Sequence, residues 1–281
     1  MTTIASAVLT GVGVLLAGNL LWAAVLAPLN LRFAAIVPWA VVPMSAYLWV
    51  YWRFIGGRMG SPDTAGWRRD QLRANPVSPD VWGSALVAGL VGFAALLTFV
   101  FVLGRVLTLP ASAPITTPPE MPTLTIVLLL VMGSIVAGVT EEAAFRGYMQ
   151  TPIERRYGVA AAILVNGAAF GLLHFPNHPN DVLPMLPYYI AVSAVYSGVT
   201  SAANSILPAV VLHSAGDVWS LTRLWATATP EWQIAGPRES APAIDGGLLA
   251  AIALLLALAA ATWWLCGETA RLRAASGSQA E

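Results

Sequence analysis

The chain has no lysine, one cysteine and little charge of either sign. Only 10% of its 281 residues are Asp, Glu, Lys or Arg, whereas 57% are apolar. A soluble domain carries roughly 25% charged residues. The scarcity therefore excludes an ordinary soluble protein and points to an integral membrane protein, in line with a mean hydropathy of +0.71. The formal net charge is zero, so nothing in the composition suggests a nucleic-acid partner. A single cysteine, Cys266, excludes an intramolecular disulfide and a cysteine-based metal cluster. It closes an apolar run and reads as a buried, inert thiol. No G-x-S-x-G is present, so no serine nucleophile is indicated. The N-terminus lacks a basic stretch, and residues 2–27 are too long for the apolar part of a cleaved signal. They read as a first span.

What the chain does have is a series of long apolar runs. A helix needs about 20 such residues to cross a bilayer. Eight candidates follow, at about 4–27, 33–55, 81–104, 124 into the EE motif, 158–175, 185–203, 206–226 and 246–266. Pro28 is expected to stop the first. Trp39, Trp49, Tyr51 and Trp52 serve as interface anchors of the second. The expected fold is an all-α, polytopic transmembrane helical bundle of about eight spans, forming one domain over 1–281. Arginines concentrate in 53–73, after the EE motif and in the C-terminal tail. The positive-inside rule then places both termini and the 53–80 loop in the cytoplasm; the expected location is the plasma membrane. An even number of spans agrees with this.

Against that background, ionisable residues inside apolar segments stand out. They are Glu141, Glu142 and Arg146 in TEEAAFRG, His174 in FGLLH, and His213 and Asp217 in LHSAGD. A charge at the bilayer centre costs roughly 2.5–3.5 kcal/mol on insertion scales, so three such segments imply joint use. RYG at 156–158 reads as a turn with Gly158 at a helix C-cap. Glu141 lies sixteen residues before Tyr157 and His174 sixteen after Gly158. At about 1.5 Å per residue, both stand about 24 Å from the turn, level with each other in an antiparallel hairpin. The polar tip GYMQTPIERR brings the site nearer the cytoplasmic face.

Spacing also suggests roles. Glu142 and Arg146 are i,i+4 with the acid first, the favoured order for a helical ion pair. This makes them structural support. Glu141 is turned about 100° away and has Phe145 at i+4, so it is the carboxylate available as a general base. His213 and Asp217 share one helix face, where Asp217 can orient the imidazole or act directly. A carboxylate with two histidines suggests an activated water. The histidines either bind a metal that holds it or stabilise an oxyanion on an attacked carbonyl. The metal is left open: His174 and His213 would be its ligands, and a divalent ion such as zinc its identity. HFPNH, from His174 to His178, lacks the glutamate of a zincin, and Pro176 breaks the helix its spacing needs. His178 reads as a loop residue.

The three elements resemble the motifs of the CAAX prenyl protease type II family, also called CPBP or Abi intramembrane proteases. EEAAFR is similar to E-E-x-x-x-R, FGLLH to F-x-x-x-H, and HSAGD to H-x-x-x-N/D. The resemblance covers a core at about 120–225. It implies an intramembrane endopeptidase with Glu141 as the water-activating base, with His174, His213 and Asp217 also catalytic. It also implies a membrane-associated peptide or protein substrate. Two other classes of function share some of these features. Intramembrane Glu, His and Asp also mark proton-coupled transporters, although no internal repeat accompanies them here. A non-catalytic scaffold or bacteriocin-immunity protein would keep the fold without the reaction.

Overall fold

The computed structural model describes residues 3–107, 109, 115, 117–174, 182–227 and 244–278. Among these residues every element is helical. In chain order they are α1 (Ile4–Leu20), a π-helical segment (Leu21–Leu26), α2 (Ala27–Phe33), α3 (Val41–Ile55), α4 (Pro62–Leu72), α5 (Pro79–Val106), α6 (Thr123–Glu141), a second π segment (Glu142–Met149), α7 (Gln150–Leu173), α8 (Val182–Ala203), α9 (Leu207–Thr227) and α10 (Gly246–Ser278). Each expected span corresponds to helix. Four runs are long and apolar enough to cross a membrane: Ile4–Phe33, Pro79–Val106, Thr123–Leu173 and Gly246–Ser276. The third is broken at Gly158 (φ 84°, ψ 166°), a left-handed conformation that glycine adopts without steric cost, so it carries two of the expected spans.

Three boundaries differ from the sequence reading. Pro28 does not stop the first helix, which runs to Phe33. The π segment just before it widens the turn and absorbs the missing proline N–H. The second span begins at Val41, so that Pro43 falls in a first turn, where its lost donor has no helical partner anyway. The segment 53–80 is not simply a loop. Ser61 accepts from the Asp63 N–H, Pro62 opens the helix, and α4 follows. His178, Pro176 and Arg238 lie outside the described residues.

The chain divides into two compact units. The first comprises Met1–Ala74, Pro114–Ile153 and Ala209–Ala228. Here α1 packs on α3, α6 and the second π segment, and α4 packs on that π segment too. Small residues allow this. A Cβ at Gly18 would lie 2.5 Å from Thr140 Cγ2, and one at Gly11 would lie 3.0 Å from the Ala144 carbonyl. A side chain at either glycine would clash, so Gly18 lets the Thr140 side chain seat against the α1 backbone and Gly11 lets α1 approach the backbone at Ala144, as small-residue contacts in membranes do. The Tyr51 hydroxyl donates to Val14 O at 3.0 Å and ties α3 to α1.

The second unit comprises Asn75–Ala113, Glu154–Pro208 and Thr229–Glu281. Its core is α5 against α8 and α10. Ser84 and Thr269 hydroxyls share a 2.8 Å hydrogen bond across α5 and α10. A Cβ at Gly167 would come within 2.7 Å of Ile190 Cα, so α7 and α8 are also in close contact. Asp245 caps α10 by accepting from the Leu248 N–H at 2.8 Å and pairs with Arg105. These interactions, the backbone N–H first, hold its carboxyl below the usual range.

Candidate active site

The site in the first unit begins at a close contact between two helices. A Cβ at Gly138 would sit 2.2 Å from Ser214 Oγ. Only glycine permits α9 to press this closely on α6, three residues before Glu141 and one after His213. The contact therefore sets the carboxylates of one helix against the imidazole of the other. Sequence reasoning passed over Gly138, although a glycine in an apolar helix just ahead of an acidic pair marks a place of close backbone approach.

After Glu141 the helix widens. All eight residues from Glu142 to Met149 are buried in the π segment. Such segments recur at functional sites because the wider turn re-aims side chains. Its surroundings hold it firmly. The Tyr148 hydroxyl donates to Ile55 O at 2.6 Å, and Thr151 Oγ1 donates to Gln71 O at 3.1 Å. A Cβ at Gly147 would be 3.1 Å from Leu72 O, which brings α4 onto the segment's outer side.

Inside this frame, Arg146 Nη1 lies 3.1 Å from Glu142 Oε1, and both side chains are fully buried. The same carboxylate oxygen lies 2.7 Å from His213 Nδ1. An oxygen facing a guanidinium acts as acceptor, so Nδ1 carries the hydrogen and donates it. His213 Nε2 then faces two further carboxylates, with Glu141 Oε2 and Asp217 Oδ2 each 3.7 Å away. Accessibility separates the three acids. The Glu142 side chain is sealed at 0%, whereas Glu141 is 17% and Asp217 32% exposed. Only the last two can meet a substrate without disturbing the packing. The carboxylate that orients the imidazole through Nδ1 is thus Glu142, seventy-one residues away in sequence. Asp217, the helical neighbour, stands at the opposite nitrogen.

His174 belongs to the second unit, at the end of α7. Its Nδ1 lies 2.7 Å from Phe170 O. A carbonyl only accepts, so this Nδ1 also carries hydrogen. The ring packs on Tyr189 (centroids 5.0 Å apart, 30°) and on Phe170 (4.5 Å, 60°). Gly171 leaves room for this, since a Cβ there would be 3.0 Å from Tyr189 Cδ2. Both histidines are therefore fixed through Nδ1 by acceptors of their own unit. In each neutral ring Nε2 becomes the proton-accepting nitrogen.

Among the described residues, no three His, Cys, Asp or Glu side chains are arranged to hold a metal ion.

An all-helical membrane protein with a half-buried glutamate beside a histidine, and a fully buried carboxylate on that histidine's other nitrogen, is the class that fold and site define together. Residues 123–219 match the family model of type II CAAX prenyl endopeptidases, Rce1-like. The matched stretch starts with α6 and contains Glu141, Glu142, Arg146, His174, His213 and Asp217. The likeness carried by the three motifs thus extends over the helices between them, while α1–α5 and α10 lie outside it. No curated protein and no solved structure matches the chain.

Proposed function

We propose that the protein is an intramembrane endopeptidase that hydrolyses a peptide bond with a water activated by Glu141. The observation that carries the proposal is the geometry of His213, with Nδ1 bound to the sealed carboxylate of Glu142 and Nε2 turned to Glu141. Glu141 takes a proton from water as the oxygen attacks the scissile carbonyl. The proton passes from Glu141 to His213 Nε2, across a gap that is 3.7 Å at rest and shortens when substrate aligns the groups. The resulting imidazolium keeps its Nδ1–H on Glu142 and gives the Nε2 proton to the amine nitrogen as the C–N bond breaks. An acid and an amine are released, and Glu141 is again a carboxylate. Asp217, at the same nitrogen, holds the charged ring in place during the relay. His174 joins the catalytic set on the motif match, with an Nε2 of the same kind.

In this proposal the substrate is a membrane-associated peptide or protein, and the plasma-membrane chain keeps both termini in the cytoplasm. The whole of 1–281 acts as one integral-membrane domain, with 120–225 as its catalytic core. The test is a mass-spectrometric comparison of membrane peptides from cells carrying the wild-type chain or Glu141→Ala. New peptide termini that depend on Glu141 support the reading. Identical peptide sets from both, with both proteins folded in the membrane, overturn it.

A further inference from the structure

The second unit contains a cavity of about 610 Å³ that the catalytic proposal does not use. Its volume falls within the range of about 300–1,000 Å³ typical of small-molecule sites. Four helices line it, with Leu96 from α5, Ile163 from α7, Gly198 from α8, and Ala259, Cys266 and Arg273 from α10 among the residues involved. Its walls are almost wholly apolar. Small residues keep it open: a Cβ at Gly198 would meet only Cys266 Sγ, at 3.7 Å. From Leu255 to Arg273 the lining of α10 runs about 27 Å, close to the roughly 30 Å of a bilayer's hydrocarbon core. Trp263, also in the lining, is 76% exposed, so one flank of the groove is open at the protein surface.

One end is different in character. Arg273 Nη1 donates to Ser201 O at 3.0 Å, which fixes the guanidinium at the wall. Ser201 Oγ donates to Glu154 Oε1 at 2.6 Å. Arg155 and Arg156 follow Glu154 directly and are exposed, as is Arg271 beside its partner Glu268. Four arginines against Glu154, Glu268 and Asp80, the last in the first turn of α5 beside the end of α10, leave this end with a net positive charge. A long apolar groove ending in a fixed guanidinium fits a hydrocarbon chain with an anionic head. Basic pockets between membrane helices bind anionic lipid head groups in this way. We propose that the groove binds an anionic glycerophospholipid, one acyl chain along the apolar floor and the phosphate at Arg273.

The experiment uses the full-length chain purified and reconstituted with dioleoylphosphatidylcholine, with or without dioleoylphosphatidylglycerol. Native mass spectrometry reads which lipids remain bound. Alkylation of Cys266, the sole thiol, by N-ethylmaleimide reads occupancy of the groove. The wild type should retain phosphatidylglycerol in preference to phosphatidylcholine, and the anionic lipid should slow alkylation about tenfold, the change expected of a preference near 1.4 kcal/mol. Arg273→Gln should lose the preference while melting like the wild type. Gly198→Leu, which fills the floor, should lose retained lipid of both kinds. Equal retention of the two lipids by the wild type would overturn the proposal, and so would an undiminished preference in Arg273→Gln. Protection of Cys266 that rises with protein concentration in lipid-free detergent would also overturn it, because a second copy of the chain would then be the occupant.

Discussion

Replacing Glu142 with glutamine tests the inner half of the site. The change leaves the shape of the side chain and removes its charge. Arg146, fully buried and 3.1 Å away, loses its counter-ion. Removing one member of a buried pair costs about 3–5 kcal/mol in soluble proteins, since the remaining charge stays desolvated. His213 suffers less, because the amide oxygen still accepts from Nδ1–H. The main effect should therefore be on stability. At about 2–4 °C per kcal/mol for larger domains, the melting temperature in detergent should fall by roughly 6–20 °C. Tryptophan fluorescence reads this directly in a chain with eleven tryptophans. Adding Arg146→Met removes the stranded charge and should restore part of the loss, giving a coupling between the two sites in a double-mutant cycle. Glu142→Ala, which removes the acceptor as well, should lower turnover further than Glu142→Gln. If Glu142→Gln melts like the wild type yet is inactive, Glu142 acts in the chemistry, and its assignment as the orienting residue is wrong.

Other outcomes follow from the same geometry. Gly138→Ala should displace α9 and lower both stability and turnover, at the roughly 1–3 kcal/mol typical of overpacking; adding Ser214→Gly, which removes the Oγ otherwise met at 2.2 Å, should recover part of it in melting and activity assays. Asp217→Asn keeps an acceptor at His213 Nε2 and matches the Asn/Asp choice of the motif, so its loss of turnover should stay well under the ~10² expected when a general acid or base is removed. Dialysis against a chelator should leave turnover unchanged, whereas a loss restored by zinc would replace the side-chain relay with a metal-held water.

The four long apolar runs were legible because each holds about 20 apolar residues or more, a signal that later packing does not alter. Their ends were less so. The passage through Pro28 depends on a π turn, which is a choice of hydrogen-bond partner and leaves no mark in hydropathy. The cap of α4 was visible in Ser61-Pro62-Asp63 but was masked by the arginines that marked the stretch as a loop. At the site, i,i+4 spacing found the two pairs that lie within single helices, Glu142 with Arg146 and His213 with Asp217. It could not find Glu142 with His213, because that bond joins different helices and depends on how closely Gly138 lets them approach. Helix periodicity reports which residues share a face, and it is silent on which faces meet.

The central claim is that Glu141 takes the proton from the attacking water. The most direct test is single-turnover cleavage by purified Glu141→Gln, on a substrate found from the membrane-peptide comparison, at matched folding and protein level. This variant should lose at least about 10²-fold, the lower end of general-base effects, with an unchanged melting temperature. Turnover above a few per cent of wild type would contradict it and remove Glu141 from the role of base.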